Sequence, residues 1–363
     1  MAASRSKAVV VVIVAILAMA PGLAACGGGD GGGSAATEGA TTSNRPEPAV
    51  TVRLGYFPTV THAPALVGVQ EGLFEDALAP HKLTTRTFNA GPEAVQAVFS
   101  GALDAAYLGP NPAINAYAKS KGAAIRIVAG ATSGGAAFVV APSISTAAGL
   151  KGKTVASPQL GNTQDVALRA WLKTQGLATT TSGGGDVKIV PQANADILTA
   201  FKAKRIAGAW VAEPWATRLV QEAGGKVLVD ETDLWPGGRF VTAHLVVRTD
   251  FAKHHPGALR ALLQGHVDAV ERAASGDASA KSAKAAANDR LASLTGKPLS
   301  QDVLDASWAN LTFTADPIAS SLRTSAQHAQ GLGLLEAVDL GGIYDLGPLN
   351  SVLQAAGKEE VKE

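Results

Sequence analysis

The stretch Gly101–Pro112, which reads Gly-Ala-Leu-Asp-Ala-Ala-Tyr-Leu-Gly-Pro-Asn-Pro, most constrains what this chain can fold into. Its apolar run Ala105–Leu108 predicts a short buried strand, which a Gly-Pro pair ends. Asn111 is a favoured helix N-cap and Pro112 a favoured first helical residue, so a helix is predicted to follow at once. Such a helix N-terminus presents backbone N–H groups that attract anions. The stretch therefore predicts an α/β fold with a polar-ligand site beyond the carboxyl ends of its strands.

Strand and helix patterns alternate on both sides of this stretch, which predicts mainly parallel sheets flanked by helices. A length of 363 residues is sufficient for two lobes of ordinary size. We predict that lobe 1 comprises residues 50–140 and 245–363, and that lobe 2 comprises residues 141–244. The chain would then cross between the lobes twice, near Val140 and near Leu245, and these crossings would form a hinge.

The first 49 residues read as an export leader followed by a tether. Two basic residues precede the apolar run Val9–Ala20, which has the length of a signal-peptide core and is short for a membrane span. Residues 1–25 are therefore predicted to be a signal peptide. The sequence Leu23-Ala24-Ala25-Cys26 resembles a bacterial lipoprotein box, which implies that Cys26 is lipidated and anchors the chain outside the cytoplasm. Residues 26–49 are rich in Gly, Ser and Thr and predict a flexible tether.

Composition and motifs exclude several classes of function. The net charge of +1 gives no basic surplus for nucleic acid, and the single cysteine excludes an internal disulfide and a Cys-rich zinc site. Gly27, Gly29 and Gly32 have the spacing of a dinucleotide-binding loop, but no strand precedes them. The sequence contains no G-x-S-x-G, P-loop or H-E-x-x-H motif. We therefore predict no catalytic residues, no metal ligands and no cofactor.

Four short motifs resemble, in their order and spacing, the nitrate/sulfonate/taurine group of solute-binding proteins of ABC importers. They are the His62 loop after the first strand, Glu71–Phe74, Ser100–Ala105 and Gly109–Pro112. The resemblance implies a type II periplasmic-binding-protein fold, with two lobes and a two-crossing hinge. It also implies that the protein captures a small anionic solute between its lobes, and a monomer is our default expectation. The loaded protein would deliver this solute to a membrane permease with a separate ATPase subunit.

The sequence leaves the solute open. An aliphatic sulfonate or taurine is our first expectation, and nitrate, bicarbonate and a pyrimidine precursor of thiamine are the alternatives within the family. An enzyme that forms such a precursor with pyridoxal phosphate is a rival interpretation, for which His62 is the one candidate residue. A structural scaffold of the cell surface is a third.

Polar and aromatic residues at predicted loop and helix starts form the candidate ligand site. Glu213 would suit a ligand amine and would repel a bare anion. Trp210, or Trp215 in its place, would cover an apolar part of the ligand. Each residue also has a structural interpretation as a cap, a turn or a core residue, and Glu213 could instead pair with Arg218. The predicted ligand-binding residues are His62, Asn111, Ser133, Gly134, Asn162, Thr163, Gln164, Trp210 and Glu213.

Overall fold

The computed structural model describes residues 48–276 and 278–363. The predicted signal peptide, the predicted lipid-attachment residue Cys26 and nearly all of the predicted tether lie outside the described residues. No helix among these described ranges is long and apolar enough to cross a membrane.

The described chain alternates strands and helices, as the sequence predicts. The strands are β1 Thr51–Tyr56, β2 Lys82–Thr87, β3 Ala105–Leu108, β4 Ile125–Gly134, β5 Ala136–Val140, β6 Thr154–Ser157, β7 Lys188–Pro191, β8 Gly208–Ala212, β9 Lys226–Asp230, β10 Val241–Arg248 and β11 Leu311–Phe313. The helices are α1 Ala63–Gln70, α2 Leu73–Leu78, α3 Gly91–Phe99, α4 Pro110–Lys119, α5 Thr163–Thr174, α6 Asn194–Lys202, α7 Trp215–Gln221, α8 Thr249–His254, α9 Pro256–Ala274, α10 Ala278–Thr295, α11 Gln301–Ala309, α12 Ala319–Gly331 and α13 Gly347–Ala355. Short 3₁₀ turns span Val60–His62, Ala147–Leu150, Glu231–Leu234 and Pro236–Gly238.

The strands form two sheets, which we call the first and second sheets. The first has the order β11-β4-β10-β3-β1-β2, and the second has the order β7-β6-β8-β5-β9. In the first sheet β1, β2 and β3 run parallel, whereas β10 pairs antiparallel with both β3 and β4. In the second sheet β6, β7 and β8 run parallel, whereas β5 pairs antiparallel with β8 and β9. Helices flank both sheets, and the predicted fold class is confirmed.

The chain crosses between the two sheets twice, and the strand that follows each crossing, β5 or β10, runs antiparallel to its neighbours. Strand β5 is predicted to end lobe 1, but it pairs in the second sheet. The first crossing is therefore at Gly134 and Gly135, a few residues earlier than expected, and the second lies between β9 and β10. Both glycines have a positive φ, 78° and 70°, which turns the chain sharply from one sheet into the other.

Each sheet packs its own hydrophobic core. The first sheet buries residues of β1, β3, β4 and β10 against helices that include α1 and α9. Helix α9 contributes the apolar stripe Leu259, Leu262, Leu263, Val267 and Val270, as its helical periodicity predicts. The second sheet has one apolar cluster around Phe201 and another around Trp210. The two lobes are thus separately packed bodies joined by the two crossings.

Candidate functional site

A cavity of about 150 Å³ lies where elements of both sheets meet. Each sheet contains three parallel strands, and the walls of the cavity come from the residues that directly follow these strands. In the first sheet these are the segments after β1, β2 and β3, and in the second sheet those after β6, β7 and β8. The lining residues are Phe57, Pro58, Thr59, Thr61, His62, Phe88, Asn89, Ala90, Gly91, Gly109, Pro112, Pro158, Asn162, Thr163, Gln164, Ala193, Asn194, Ala195, Ala212, Trp215 and Thr242.

Five helices of eight or more residues begin at this cavity, namely α1, α3, α4, α5 and α6. The first turn of a helix has N–H groups without partners inside the helix, and the helix dipole places partial positive charge there. None of the described residues that line the cavity is an Asp, Glu, Lys or Arg. The site is therefore formally neutral, and what it can offer a ligand is oriented N–H groups, hydroxyls and amides.

His62 lines the cavity as a fixed hydrogen-bond donor. The side chain is 3% exposed and stacks on the Phe57 ring, with the two ring centroids 4.4 Å apart. The backbone N–H of Phe57 donates to His62 Nδ1 over 3.1 Å. Burial lowers the pKa of His62 to about 3, so the ring is neutral near pH 7. Since Nδ1 accepts a bond, the proton lies on Nε2, which leaves an N–H donor for a ligand.

The start of α5 is held in place by a buried ion pair. The sequence leaves the N-cap open between Asn162 and Thr163; the N-cap is Asn162, whose Oδ1 accepts from the Asp165 backbone N–H over 2.9 Å. Asp165 also accepts from Ser157 Oγ at 2.6 Å and from Arg169 Nε at 2.9 Å. These bonds fix the first turn of α5, so Thr163 and Gln164 present their backbone N–H groups to the cavity in a defined direction.

Four of the nine predicted ligand residues line the cavity, and their role as ligand contacts stays a prediction. They are His62, Asn162, Thr163 and Gln164. The other five predicted residues lie outside the cavity, and a physical reason accounts for the position of each.

Asn111 faces away because α4 begins two residues earlier than predicted. Gly109 is the N-cap and Pro110 is the first helical residue, so Asn111 lies one position into the helix. Each helical position rotates a side chain by about 100°, since there are 3.6 residues per turn. The Asn111 amide instead donates to the Ser325 carbonyl in α12.

Ser133 and Gly134 belong to the first sheet rather than to a loop. The β-branched and apolar run Ile125–Ala129 predicts a fourth strand that ends at Ala129, but β4 continues to Gly134. Ser133 pairs with both Val241 and Thr312, so its backbone is committed to the sheet. Neither residue lines the cavity.

Trp210 is a core residue of the second sheet. It is fully buried, stacks on Phe138 and donates from Nε1 to Glu231 Oε2 over 2.7 Å. Trp215, in the first turn of α7, lines the cavity instead. The Arg218 guanidinium lies 4.7 Å from the centroid of the Trp215 ring and orients it by a cation–π contact.

Glu213 is buried beside the cavity but points away from it. Its carboxylate accepts from the Thr217 backbone N–H at 3.0 Å, from the Thr217 hydroxyl at 2.9 Å and from Asn310 Nδ2 at 2.7 Å. Burial raises the pKa of Glu213 against the effect of these hydrogen bonds. Neither of the expected arrangements, facing a ligand amine or pairing with Arg218, is present. The carboxylate therefore neither repels an anion in the cavity nor binds an amine there.

Sequence reasoning missed most of the first-sheet wall, including Thr59, Asn89 and Gly109. All three directly follow parallel strands, and the rule that ligands bind beyond the carboxyl ends of such strands could have found them. Thr242 was harder to find. It lies near the start of β10, which runs antiparallel, so its amino end is at the same edge.

The comparisons with known proteins agree with this architecture. The model of the NMT1-like family matches residues 45–287. A taurine-binding periplasmic protein from Escherichia coli (strain K12) is 31% identical over 186 residues, which cover 51% of this chain and 56% of the relative. The chain thus spans about half the length of that curated relative.

Two solved structures confirm the predicted periplasmic-binding-protein fold. The alkanesulfonate-binding protein SsuA from Xanthomonas axonopodis pv. citri, bound to MOPS, has a TM-score of 0.68 at 20% identity and covers 84% of this chain and 100% of its own. The periplasmic nitrate-binding protein NrtA from Synechocystis PCC 6803 has a TM-score of 0.73 at 16% identity, and the match covers 86% and 90% of the two chains. At these identities the likeness concerns the fold alone.

Proposed function

We propose that this chain, which belongs to the NMT1-like family, is the extracytoplasmic solute-binding subunit of an ABC importer. It captures a small oxyanion-bearing solute between its two lobes and delivers it to a permease with a separate ATPase subunit. The observation that carries the proposal is the neutral cavity at which five helix N-termini meet. The names of its relatives, which are binding proteins for taurine, alkanesulfonate and nitrate, support the same class of function.

Such a cavity binds an anion without a counter-charge. Backbone N–H groups at the helix starts, the hydroxyls of Thr61 and Thr163, and the Nε2–H of His62 donate hydrogen bonds to the oxygens, whereas the Thr59 hydroxyl already donates to the Glu213 carbonyl over 2.6 Å. Hydrogen bonds to a charged group are each worth about 1.5–3 kcal/mol. Because the donors are fixed before the solute arrives, little ordering opposes binding.

An aliphatic sulfonate fits the lining best. The cavity of about 150 Å³ is smaller than the roughly 300–1,000 Å³ that drug-sized ligands occupy, so the solute is small. Phe57, Phe88 and Trp215 offer apolar surface to an alkyl group, which nitrate and bicarbonate lack. No carboxylate among the described lining residues can pair with an amine, and this favours a plain alkanesulfonate over taurine.

Calorimetric titration of residues 45–363 tests the proposal. We expect one-to-one binding of ethanesulfonate, weaker binding of taurine, and the weakest binding of nitrate, bicarbonate and hydroxymethylpyrimidine. Replacing Gln164 by Ala removes a donor at the cavity and should weaken ethanesulfonate binding about 10- to 100-fold. The same change at Gln354, an exposed residue at the end of α13, should leave it unaltered.

Other outcomes select the alternatives. Binding of taurine alone or of the pyrimidine alone would overturn the solute class and keep the receptor function. Absence of binding to every compound would favour the scaffold interpretation. Visible-range absorbance of bound pyridoxal phosphate in the purified protein would favour the enzyme.

We further propose that the protein is a monomeric lipoprotein held at the outer face of the cell membrane through Cys26. The resemblance of Leu23–Cys26 to a lipoprotein box supports this, as does the glycine-rich segment that follows it. We expect the wild-type chain to incorporate a labelled fatty acid in cells and Cys26→Ala not to incorporate it. A wild-type chain that takes up no such label would contradict the anchor.

A further inference from the structure

A second cavity, of about 450 Å³, lies outside the solute cavity and shares no lining residue with it. It is bounded by the C-terminal half of α5, the segment Glu231–Trp235 that leads towards the second crossing, and the end of α12. Trp171, Leu234, Trp235 and Leu332 form much of its wall. Its volume falls in the range of roughly 300–1,000 Å³ that accommodates small organic ligands.

The aromatic walls of this cavity are held rigidly. Trp171 packs edge-on against Phe138, with centroids 5.5 Å apart, and tilts against Trp210 at 6.1 Å. Trp235 stacks on Phe240 at 5.6 Å with an interplanar angle of 13°. Because the rings are fixed by these contacts, their faces form a pre-organised apolar surface, and the face of an indole also attracts cations.

Glu231 brings a carboxyl group to the same cavity. It is 1% exposed, and its Oε2 accepts from the indole Nε1 of Trp210 over 2.7 Å. No cationic side chain in the described part of the chain forms an ion pair with it. A buried carboxylate without a counter-charge is costly. In keeping with this cost, burial raises the pKa of Glu231 to about 7.

The two basic side chains at the rim do not supply the missing charge. Lys173 Nζ donates to the Gly331 carbonyl over 2.7 Å and is exposed. His328 has its pKa lowered by burial, so its ring is neutral near pH 7. Near pH 7 the carboxyl group of Glu231 is therefore neutralised only in part, by a proton, beside the rings of Trp171 and Trp235 that line the same cavity.

We propose that this cavity is a second binding site, which takes a small organic ammonium compound with an apolar or aromatic body. The ammonium group would pair with Glu231 and lie against the indole faces, while the apolar body would cover Leu234 and Leu332. The side chain of Leu234 is 46% exposed in this structure and would gain cover from such an occupant. This site is independent of the proposed solute-binding function.

Titration of the purified chain with phenethylammonium chloride, followed by calorimetry and tryptophan fluorescence, tests the site. We expect one-to-one binding with a change in indole emission. Phenethyl alcohol, which has the same body without the charge, should bind at least tenfold more weakly, as should 3-phenylpropionate with the opposite charge. Gln164→Ala, in the other cavity, should leave phenethylammonium binding unchanged.

Two variants separate a charge-specific site from an apolar groove. Glu231→Gln keeps an acceptor for Trp210 and removes the charge, and we expect at least a tenfold loss of phenethylammonium affinity. His328→Arg adds a positive charge at the exposed rim of the cavity and should weaken phenethylammonium binding several-fold. Gln354→Arg adds the same charge on α13, outside the cavity lining, and should not weaken this binding. If the alcohol and the ammonium compound bind equally, or if both Glu231→Gln and His328→Arg bind as the wild type does, the proposal is wrong. If the melting temperature of Glu231→Gln differs from that of the wild type, the affinity of His328→Arg is the deciding measurement.

Discussion

Lowering the pH from about 7 to about 4 is expected to unfold this protein. Three buried histidines carry the effect, and burial lowers their pKa values to about 3 for His62 and about 4 for His244 and His266. In the unfolded chain a histidine has a pKa near 6.5, so between these values only the unfolded state binds the proton. The stability these groups contribute is complete above about pH 6.5 and is lost as the pH falls towards their folded pKa values. Each unit of pKa difference is worth about 1.4 kcal/mol, so the combined loss is on the order of 10 kcal/mol.

Two buried glutamates oppose this loss. Burial raises the pKa of Glu231 to about 7 and also raises that of Glu213. A carboxyl group with a raised folded pKa contributes stability that is complete below its unfolded value of about 4.3 and is lost as the pH rises towards its folded value. Acidification therefore regains roughly 3 kcal/mol through Glu231. The histidines still dominate, and the net loss is comparable with a typical total stability of about 5–15 kcal/mol.

Urea denaturation at steps between about pH 7 and pH 4 measures this effect. His266 links the Tyr107 hydroxyl to the Gly130 carbonyl, with both bonds 2.7 Å long. Glutamine can make both bonds without titrating. His266→Gln should therefore reduce the slope of the free energy of unfolding against pH by the equivalent of about one bound proton. Gln354→Ala, at an exposed side chain that does not titrate, should leave the slope unchanged. A wild-type free energy of unfolding that is constant over this range would contradict the prediction.

The sequence was sufficient for the parts of the fold that depend on local chemistry. Alternating patterns predicted the parallel strands, and the polar cluster Asn162–Gln164 predicted the capped start of α5 at the cavity. The sequence was insufficient where the position of a residue within an element decides which way its side chain points. Pro110 begins α4 two residues early and turns Asn111 towards α12.

Long-range partners account for the other differences. The Glu213 carboxylate accepts a hydrogen bond from Asn310, which lies 97 positions away in the sequence. The residues around Glu213 in the sequence therefore could not predict which way its side chain points. Trp210 is the middle residue of β8 and Trp215 follows the end of this strand; the pairing of β8 with β5 places Trp210 beside Phe138 in the core. In both cases a contact between distant segments decides whether a side chain faces the ligand.

Replacing Gly109 by Val is expected to weaken solute binding about 10- to 100-fold by obstructing closure of the lobes. A Cβ atom at Gly109 would lie 2.5 Å from Thr163 Oγ1 and 3.5 Å from Thr163 Cβ, across the cavity on the other lobe. The backbone of Gly109 is extended, with φ of −69° and ψ of 165°, so valine is tolerated there without backbone strain. The cost therefore falls on the contact between the lobes and spares each lobe's own packing. Gly276→Val is the control, since a Cβ atom at Gly276 would meet nothing within 4 Å.

A double-mutant cycle assigns this loss to the contact with Thr163. Gly109→Ala introduces only the Cβ atom, and Thr163→Ala removes the hydroxyl that this atom would meet. Thr163→Ala alone should weaken binding, because it also removes a proposed ligand donor. If closure is what Gly109 permits, adding Gly109→Ala to Thr163→Ala should cause no further loss of ethanesulfonate affinity, whereas Gly109→Ala in the wild type should cause one. Equal losses in both backgrounds would mean that the two positions act independently. Gly109 would then matter through the start of α4 rather than through the approach of the two lobes.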